Sequence, residues 1–566
     1  MSKFDWAVLC ITLLATIVYG IFKGRGQKNA HSYLLANQQM PWYVVMLGIM
    51  ATQASAITFL SAPGQAYTDG MRFVQYYFGV PLAMIVISIT FIPIFQRLKV
   101  YTAYEFLEQR FDQKTRVLTS FFFLLSRGLS TGISIYAPSI ILSTILDWNI
   151  YLTNILTGGL LLIYTYTGGA KAVAHTQKLQ FLIILGTMAF AGYLLIQNLP
   201  GGVSFSDALF IAGKSGKLNV ITTEFDLNDR YNIWSGVIGG FFLALSYFGT
   251  DQSQVGRYIS AKNTRTGRIG LLLNGLVKIP LQFSILLIGA LLFAFFALKP
   301  APVYFNERSF NLLENNYPQI ASDFTAEHNI LQDKQIALSN QLLEQRDNGS
   351  NAIDNTVQEY KLNQQKIKEL HGQVETTINE KNISIEKTDT NYIFLYFVQN
   401  ILPTGMIGLL FAVIFMASWG SIAAALSSLA TSSYKDIQQS FYKGEHDDKR
   451  QLICSRLHTL GWTIFSIGVA MFATQMGSLI EAVNILGSLF YGPILGIFLV
   501  AFYFKKVEGP NVFVAAILAE ITVILVYSLD IISFLWLNVI GAAAVYFFCI
   551  IGLIIKRIYS TRPHTS

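Results

Sequence analysis

Long uncharged apolar runs set the pattern of this chain. Segments 41–68, 73–96, 128–146, 148–170, 179–205, 231–250, 279–298, 391–434, 457–480, 482–504 and 531–555 contain no Asp, Glu, Lys or Arg. Each approaches or exceeds the ~20 residues a helix needs to cross a hydrocarbon core. Segment 6–22 and segment 511–529, interrupted only by Glu520, bring the expected total to about thirteen transmembrane helices. The runs are too long and too uniformly apolar for barrel strands, so the expected class is an all-α polytopic membrane protein. Segment 6–22 lacks a strongly basic start and an Ala-x-Ala-like cleavage site, and is expected to be a retained helix.

One stretch breaks the pattern. Residues 300–390 are polar and acid-rich, with Leu331, Leu338 and Leu342, then Ile367, Leu370, Val374 and Ile378, at helical spacing. The run 347–351 (Asp-Asn-Gly-Ser-Asn) between them reads as a turn. These features predict an external, coiled-coil-like helical hairpin that pairs with itself, acting as a spacer dispensable for transport or as a docking element for a partner protein. The expected division is a leading helix and loop (1–40), a first membrane block (41–299), the insert (300–390), a second block (391–505) and C-terminal helices with a short tail (506–566).

Composition agrees with the bilayer as solvent. Apolar residues make up 53% of the chain and charged ones 13%, about half the charge of a typical soluble domain. The mean hydropathy is +0.46. The net charge of +7 does not point to nucleic acid, because the basic residues sit in short clusters between apolar runs. Arg97/Lys99, Lys171/Lys178, Arg257/Lys262/Arg265/Arg268, Lys435/Lys443, Lys505/Lys506 and Lys556/Arg557 fall in alternate loops. The positive-inside rule then puts the N-terminus outside and the C-terminus in the cytoplasm. The expected location is the plasma membrane, or the inner membrane of a Gram-negative cell. Cys10, Cys454 and Cys549 lie far apart, with no metal-ligand spacing and no disulfide framework. Ala212-Gly213-Lys214-Ser215 imitates the end of a phosphate loop but lacks its first glycine, which is Ala208. Neither an enzyme nor a nucleotide-driven pump is expected, and no cofactor is implied.

Two membrane segments carry small and polar residues at mid-span: Ala51-Thr52-Gln53-Ala54-Ser55-Ala56, and Gly239-Gly240 followed by Ser246 to Thr250. Such runs can mean close helix packing. Two of them five spans apart, in opposite orientation, fit an inverted five-plus-five repeat whose broken helices expose carbonyls to a cation and a solute. Lys278, followed by Pro280, sits inside a span. It reads as a functional buried cation or as a lysine snorkelling to the interface. Arg127 reads as a hydrogen-bond donor within the bundle, and Glu481 and Glu520 receive no role.

Tyr164-Thr165-Tyr166-Thr167-Gly168-Gly169-Ala170-Lys171-Ala172-Val173 with Thr176, Gln177 and Gln180 resembles the signature of the sodium/solute symporter family. That family includes sodium-coupled carriers of glucose, proline, sialic acid and monocarboxylates. Tyr247 to Gln252 with Arg257-Tyr258, Ser427 to Thr431 with Asp436, and Gly492 to Phe498 resemble further blocks, in order, from about residue 5 to 505. The resemblance implies the leucine-transporter-like fold, with sodium as coupling ion and a small organic solute as cargo. Its sodium site maps onto carbonyls of Ala51, Ala54 and Ala417 and the hydroxyl of Ser421. Gly420 replaces a second hydroxyl. Its solute site maps onto Thr58, Tyr77, Tyr247, Lys278 and Asn484, with Ile57, Tyr77 and Ala244 at positions where sugar carriers place polar groups. That change favours a smaller or anionic solute. A second sodium site found in some members maps onto Gln177, Ala423 and Ala424, which lack its carboxylate and hydroxyls, so one sodium per solute is expected. A proton-coupled or uncoupled carrier of the same fold and a transporter-like sensor remain as alternatives.

Overall fold

The computed structural model describes the chain except residues 25–39, 99, 350–351, 384–387, 443–447 and 561–566. Side chains at 164 and 166–175 also lie outside the described residues, and most of the signature Tyr164 to Val173 with them. The described backbone is helical, and no residue of it is assigned to a strand. The main helices are α1 (Lys3–Gly24), α2 (Trp42–Gln53), α3 (Ala56–Asp69), α4 (Gln113–Leu146), α5 (Ile150–Gln197), α6 (Gly240–Thr250), α7 (Gln252–Ile259) and α8 (Thr264–Leu298). They continue as α9 (Pro318–Asp347), α10 (Ile353–Glu380), α11 (Met406–Ser432), α12 (Asp448–Phe472), α13 (Leu479–Tyr503), α14 (Gly509–Ser528) and α15 (Phe534–Ser560).

Among the described residues nine helices are long and apolar enough to cross a membrane, or ten if the pair α2 and α3 is one bent span. Ile150–Ile163 and Ser235–Thr250 are apolar but shorter. Polar residues at the ends of the apolar runs start the helices. Asp112, Asn149, Asp251 and Asn263 each accept a hydrogen bond from a backbone N–H in the first turn that follows, satisfying donors the helix itself leaves open.

The 48 residues of α5 cannot lie straight. A straight helix of that length would hold its ends ~72 Å apart. Yet the Arg308 guanidinium donates to the Trp148 carbonyl at 2.9 Å and the Lys299 ammonium to that of Asn198 at 2.5 Å. Nine residues of chain span at most ~32 Å, so the run doubles back. This accounts for the two apolar segments, 148–170 and 179–205, on either side of Lys171 and Lys178.

α11 forms the centre: 23 of its 27 residues are buried. Its Ala, Gly and Ser residues let neighbours approach closely. A Cβ at Gly408 would lie 2.0 Å from the Asp5 carbonyl oxygen of α1. The Asp5 carboxylate accepts from the backbone N–H of Gly405 at 2.6 Å and caps the start of α11. Close approach also sets α8 against α3, where a Cβ at Gly289 would meet the Pro63 carbonyl at 2.1 Å.

Residues 300–390 contain the paired helices α9 and α10, joined around Gly349 in the left-handed region (φ +63°). Leu338, Leu342, Leu370, Val374 and Ile378 are buried, while Leu331 and Ile367 are half-buried. The pair is not self-contained. Gln332 donates to the Phe296 and Lys299 carbonyls at 2.6 and 3.0 Å, and Ser339 to that of Ala297 at 2.9 Å. These are last-turn carbonyls of α8 and its cap, which α8 leaves without partners of its own. Periodicity marked the apolar seam but could not mark this polar seat, because its partners lie some 40 residues earlier in the chain.

Candidate functional site

The chain breaks where the small polar run predicted. α2 and α3 meet at 58° across Ala54 and Ser55. The Ser55 N–H turns to the Gln53 carbonyl at 2.9 Å and the Thr58 N–H to that of Ser55 at 3.0 Å. In an unbroken helix these donors would serve Ala51 and Ala54, so the break releases both carbonyls from their usual partners. The second polar run behaves differently. Gly239 and Gly240 stay helical, in a π turn at Ser235–Gly239 that leads into α6. They serve packing: a Cβ at Gly240 would sit 2.5 Å from the Tyr76 carbonyl. The break falls later, at extended Asp251 (ψ 119°) between α6 and α7.

A cavity of about 110 Å³ lies beside the α2–α3 break. Thr58, Tyr77, Tyr247, Lys278 and Asn484 all line it, together with Ile57 and Ala244. The fold thus gathers five residues from separate helices that the sequence resemblance had grouped. Lys278 is buried at 4% exposure, which removes the snorkelling reading. Its ammonium stands 5.0 Å from the Tyr77 ring centroid, and no carboxylate pairs with it among the described residues. The Tyr76 hydroxyl donates to Asn484 Oδ1 at 3.1 Å, and Thr58 donates to the Gln53 carbonyl at 3.3 Å. Gln53, Tyr76 and Tyr491 also line the cavity and were missed. The signals for Gln53 and Tyr76 were their places in the polar run and beside Tyr77.

One ionic cluster lines the cavity through Arg127, and a second is built on Glu481, next in sequence to the lining residue Ile480. In one, Arg127 Nε faces Asp251 Oδ2 at 3.4 Å, and the guanidinium also bonds Ser253 and the Tyr247 hydroxyl. Gln254 donates to that same hydroxyl at 2.6 Å, and the Tyr491 hydroxyl donates to Asp251 at 3.3 Å. Arg127 is therefore a bundle donor, with a carboxylate partner that spacing alone did not disclose. In the other, Glu481 accepts from Arg230 at 2.7 Å, Tyr231 at 2.8 Å and Gln65 at 3.3 Å. Glu520 lies apart, in α14, with both carboxylate oxygens buried.

Ser421 faces a smaller neighbouring cavity of about 70 Å³, and its hydroxyl donates to the Ala417 carbonyl at 3.0 Å. At Gly420 a hydroxyl-bearing side chain would require the Gln180 side chain to shift. A Cβ there would stand 2.9 Å from Gln180 Oε1, and Gln177 already donates to the Gly420 carbonyl at 2.8 Å. Gln177, Ala423 and Ala424 are all buried, and the amide of Gln177 serves this backbone contact.

Comparison with known proteins was consistent. The model of the sodium:solute symporter family matches residues 33–311 and 368–528, leaving out all of α9 and about half of α10. The rabbit (Oryctolagus cuniculus) sodium-dependent multivitamin transporter is 25% identical over 91% of this chain and 68% of its own. The human sodium/iodide cotransporter is 29% identical over 52% of this chain, and the Xenopus laevis sodium-coupled monocarboxylate transporter 1 is 31% identical over 48%. The matched stretch spans less than half of those two relatives, 46% and 44%. A solved sodium-coupled sialic acid symporter superposes with a TM-score of 0.74 at 21% identity, covering 98% of both chains, which establishes a shared fold. These relatives are transporters rather than enzymes, and the chain belongs to the sodium:solute symporter family.

Proposed function

We propose that this chain is a sodium-coupled symporter that imports a small organic monoanion, such as a monocarboxylate, across the plasma membrane by alternating access. One observation carries the choice of solute: Lys278 is a buried cation without a carboxylate partner among the described residues, and it lines the cavity. Burying an unpaired charge is costly, and an anionic solute supplies the missing partner. Arg127 is already matched by Asp251, so the excess charge of the cavity is a single positive one. Thr58, Asn484 and the tyrosines orient the rest of the solute. Ala51, Ala54, Ala417 and Ser421 are the proposed sodium ligands, since a hard cation takes carbonyl and hydroxyl oxygens.

The basic loop after Asp251 (Arg257, Lys262, Arg265, Arg268) supports a cytoplasmic position for the Arg127–Asp251 side, and with it an external one for the Glu481 cluster and the α9–α10 pair. Each cluster acts as a gate, and transport requires them to open in turn. In the same reading the membrane helices form two inverted five-helix repeats. The test is uptake of labelled monocarboxylates into proteoliposomes under an inward sodium gradient, a proton gradient or neither. Uptake driven by sodium alone is expected. Proton-driven or gradient-independent uptake would favour the rival carriers, and binding without uptake a sensor. Competition by neutral sugars but not by carboxylates would overturn the anion assignment.

A further inference from the structure

Three helices bring back-bonded hydroxyls to the 70 Å³ cavity beside Ser421. Thr52 comes from α2, Ser421 from α11, and Ser130, Thr131 and Ser134 from α4, a helix to which the symport reading gives no cation role. Each of these hydroxyls donates its proton to a carbonyl one turn back in its own helix. Thr52 donates to Gly48 at 2.7 Å, Ser130 to Ser126 at 2.8 Å, Thr131 to Arg127 at 2.6 Å, Ser134 to Ser130 at 2.9 Å and Ser421 to Ala417 at 3.0 Å.

A hydroxyl has one proton and two acceptor lone pairs. With every proton committed to backbone, all five oxygens have only lone pairs left for the cavity. Back-bonding of this kind is common for Ser and Thr in membrane helices. Its convergence from three helices on one enclosed space is what selects a ligand. At these five oxygens an anion would meet only acceptors, while a monovalent cation would meet a set of neutral oxygens suited to a hard ion; Gln53 and Ser55, at the α2–α3 break, also line the space. Arg127 and Tyr247 close one end, and the guanidinium's charge is offset by Asp251. The volume exceeds the ~10–15 Å³ that one water requires, so an ion and accompanying water fit.

We propose that the coupling cation is shared between α11 and α4, with Thr131 and Ser134 as ligands in addition to Ser421. These hydroxyls supply the oxygen that Gly420 lacks. The proposal rests on the sodium-coupled reading and extends that site toward α4 from Ser421, the one of its four proposed ligands that lines this cavity.

Equilibrium binding of ²²Na⁺ to the purified full-length protein, without solute, tests it. Thr131→Val combined with Ser134→Ala is expected to weaken sodium binding tenfold or more. Thr131→Ser, which keeps the hydroxyl, should bind as wild type does and shows that the site tolerates a change of shape. Thr144→Val, on the same helix but away from the cavity, should also bind normally. If the double variant elutes as a folded protein and binds sodium with wild-type affinity, the α4 assignment falls while sodium coupling stands. If wild type itself binds no sodium, both fall.

Discussion

At the scale of single residues, Lys278 carries the most weight. A charge-assisted hydrogen bond contributes about 1.5–3 kcal/mol, and 1.4 kcal/mol is a factor of ten. Lys278→Met is therefore expected to raise the apparent KM for a carboxylate at least about tenfold, with folded yield unchanged; unaltered kinetics would remove it from the solute site. Gly289 tests packing. A Cβ there meets the Pro63 carbonyl at 2.1 Å, backbone against backbone with nothing flexible to yield. Gly289→Ala should cost about 1–3 kcal/mol by overpacking, seen as a lower melting temperature in detergent. That Thr58, Tyr77, Tyr247, Lys278 and Asn484 come together was legible in the sequence, because they map onto the solute positions of the family it resembles, and they line one cavity. Asp251 as the partner of Arg127 was not, since 124 residues separate them and only the fold closes that distance. Gln180 was quoted as part of a signature, but its place opposite Gly420 depends on how α5 meets α11.

At the scale of elements, periodicity read the helices well and their attachments poorly. The seam of Leu338, Leu342, Leu370, Val374 and Ile378 was visible as spacing. The seat of the pair on α8 was not, because Gln332 and Ser339 look like ordinary exposed polar residues until their acceptors are known. Replacing 322–388 with a Gly/Ser linker removes both caps, each worth about 0.5–1.5 kcal/mol. Membrane insertion and uptake should survive and the melting temperature should fall, so an unchanged melting temperature would restore the self-contained hairpin. The same region is expected to respond to pH. Burial lowers the pKa of His371, but Asp389, whose carboxylate lies 3.0 Å away, raises it further, and the net shift is upward. A base with a raised folded-state pKa stabilises fully below its ordinary value of about 6.5 and loses that contribution as pH rises through the folded value. Asp389 also accepts from the Phe305 N–H at 2.7 Å. Beyond its intrinsic pH dependence, exchange at that amide should quicken on alkalinisation, and His371→Gln should abolish the extra sensitivity. His328, whose pKa burial lowers, opposes this on acidification, so the seat should be firmest between the two titrations.

For the whole molecule, the proposed ligand sets have an electrical consequence. Gln177, Ala423 and Ala424 provide no carboxylate or hydroxyl for a second ion, so one sodium per solute is expected. One sodium with one monoanion moves no net charge. The ~2.3 kcal/mol that 100 mV supplies per charge is then unavailable, and a tenfold sodium gradient alone supports about tenfold accumulation. A neutral solute carried by the same single ion would draw on both terms, ~3.7 kcal/mol in all, or roughly 500-fold accumulation. Uptake into proteoliposomes should therefore be insensitive to a valinomycin-imposed potential. Potential-driven uptake of a carboxylate would show that more than one sodium enters with it.

The cap that Asp5 places on α11 joins residues 400 positions apart. At roughly 5–20 residues per second of synthesis, α1 is made some 20–80 s before its partner exists. Until α5, against which it also packs, is made, it is a lone helix in lipid, for which the apolar surface of Ile11, Leu14, Val18 and Phe22, still exposed in the folded protein, is well suited. Completion of the bundle thus waits on an event late in translation: the arrival of Gly405 under a carboxylate that has been in the membrane since the first helix was made.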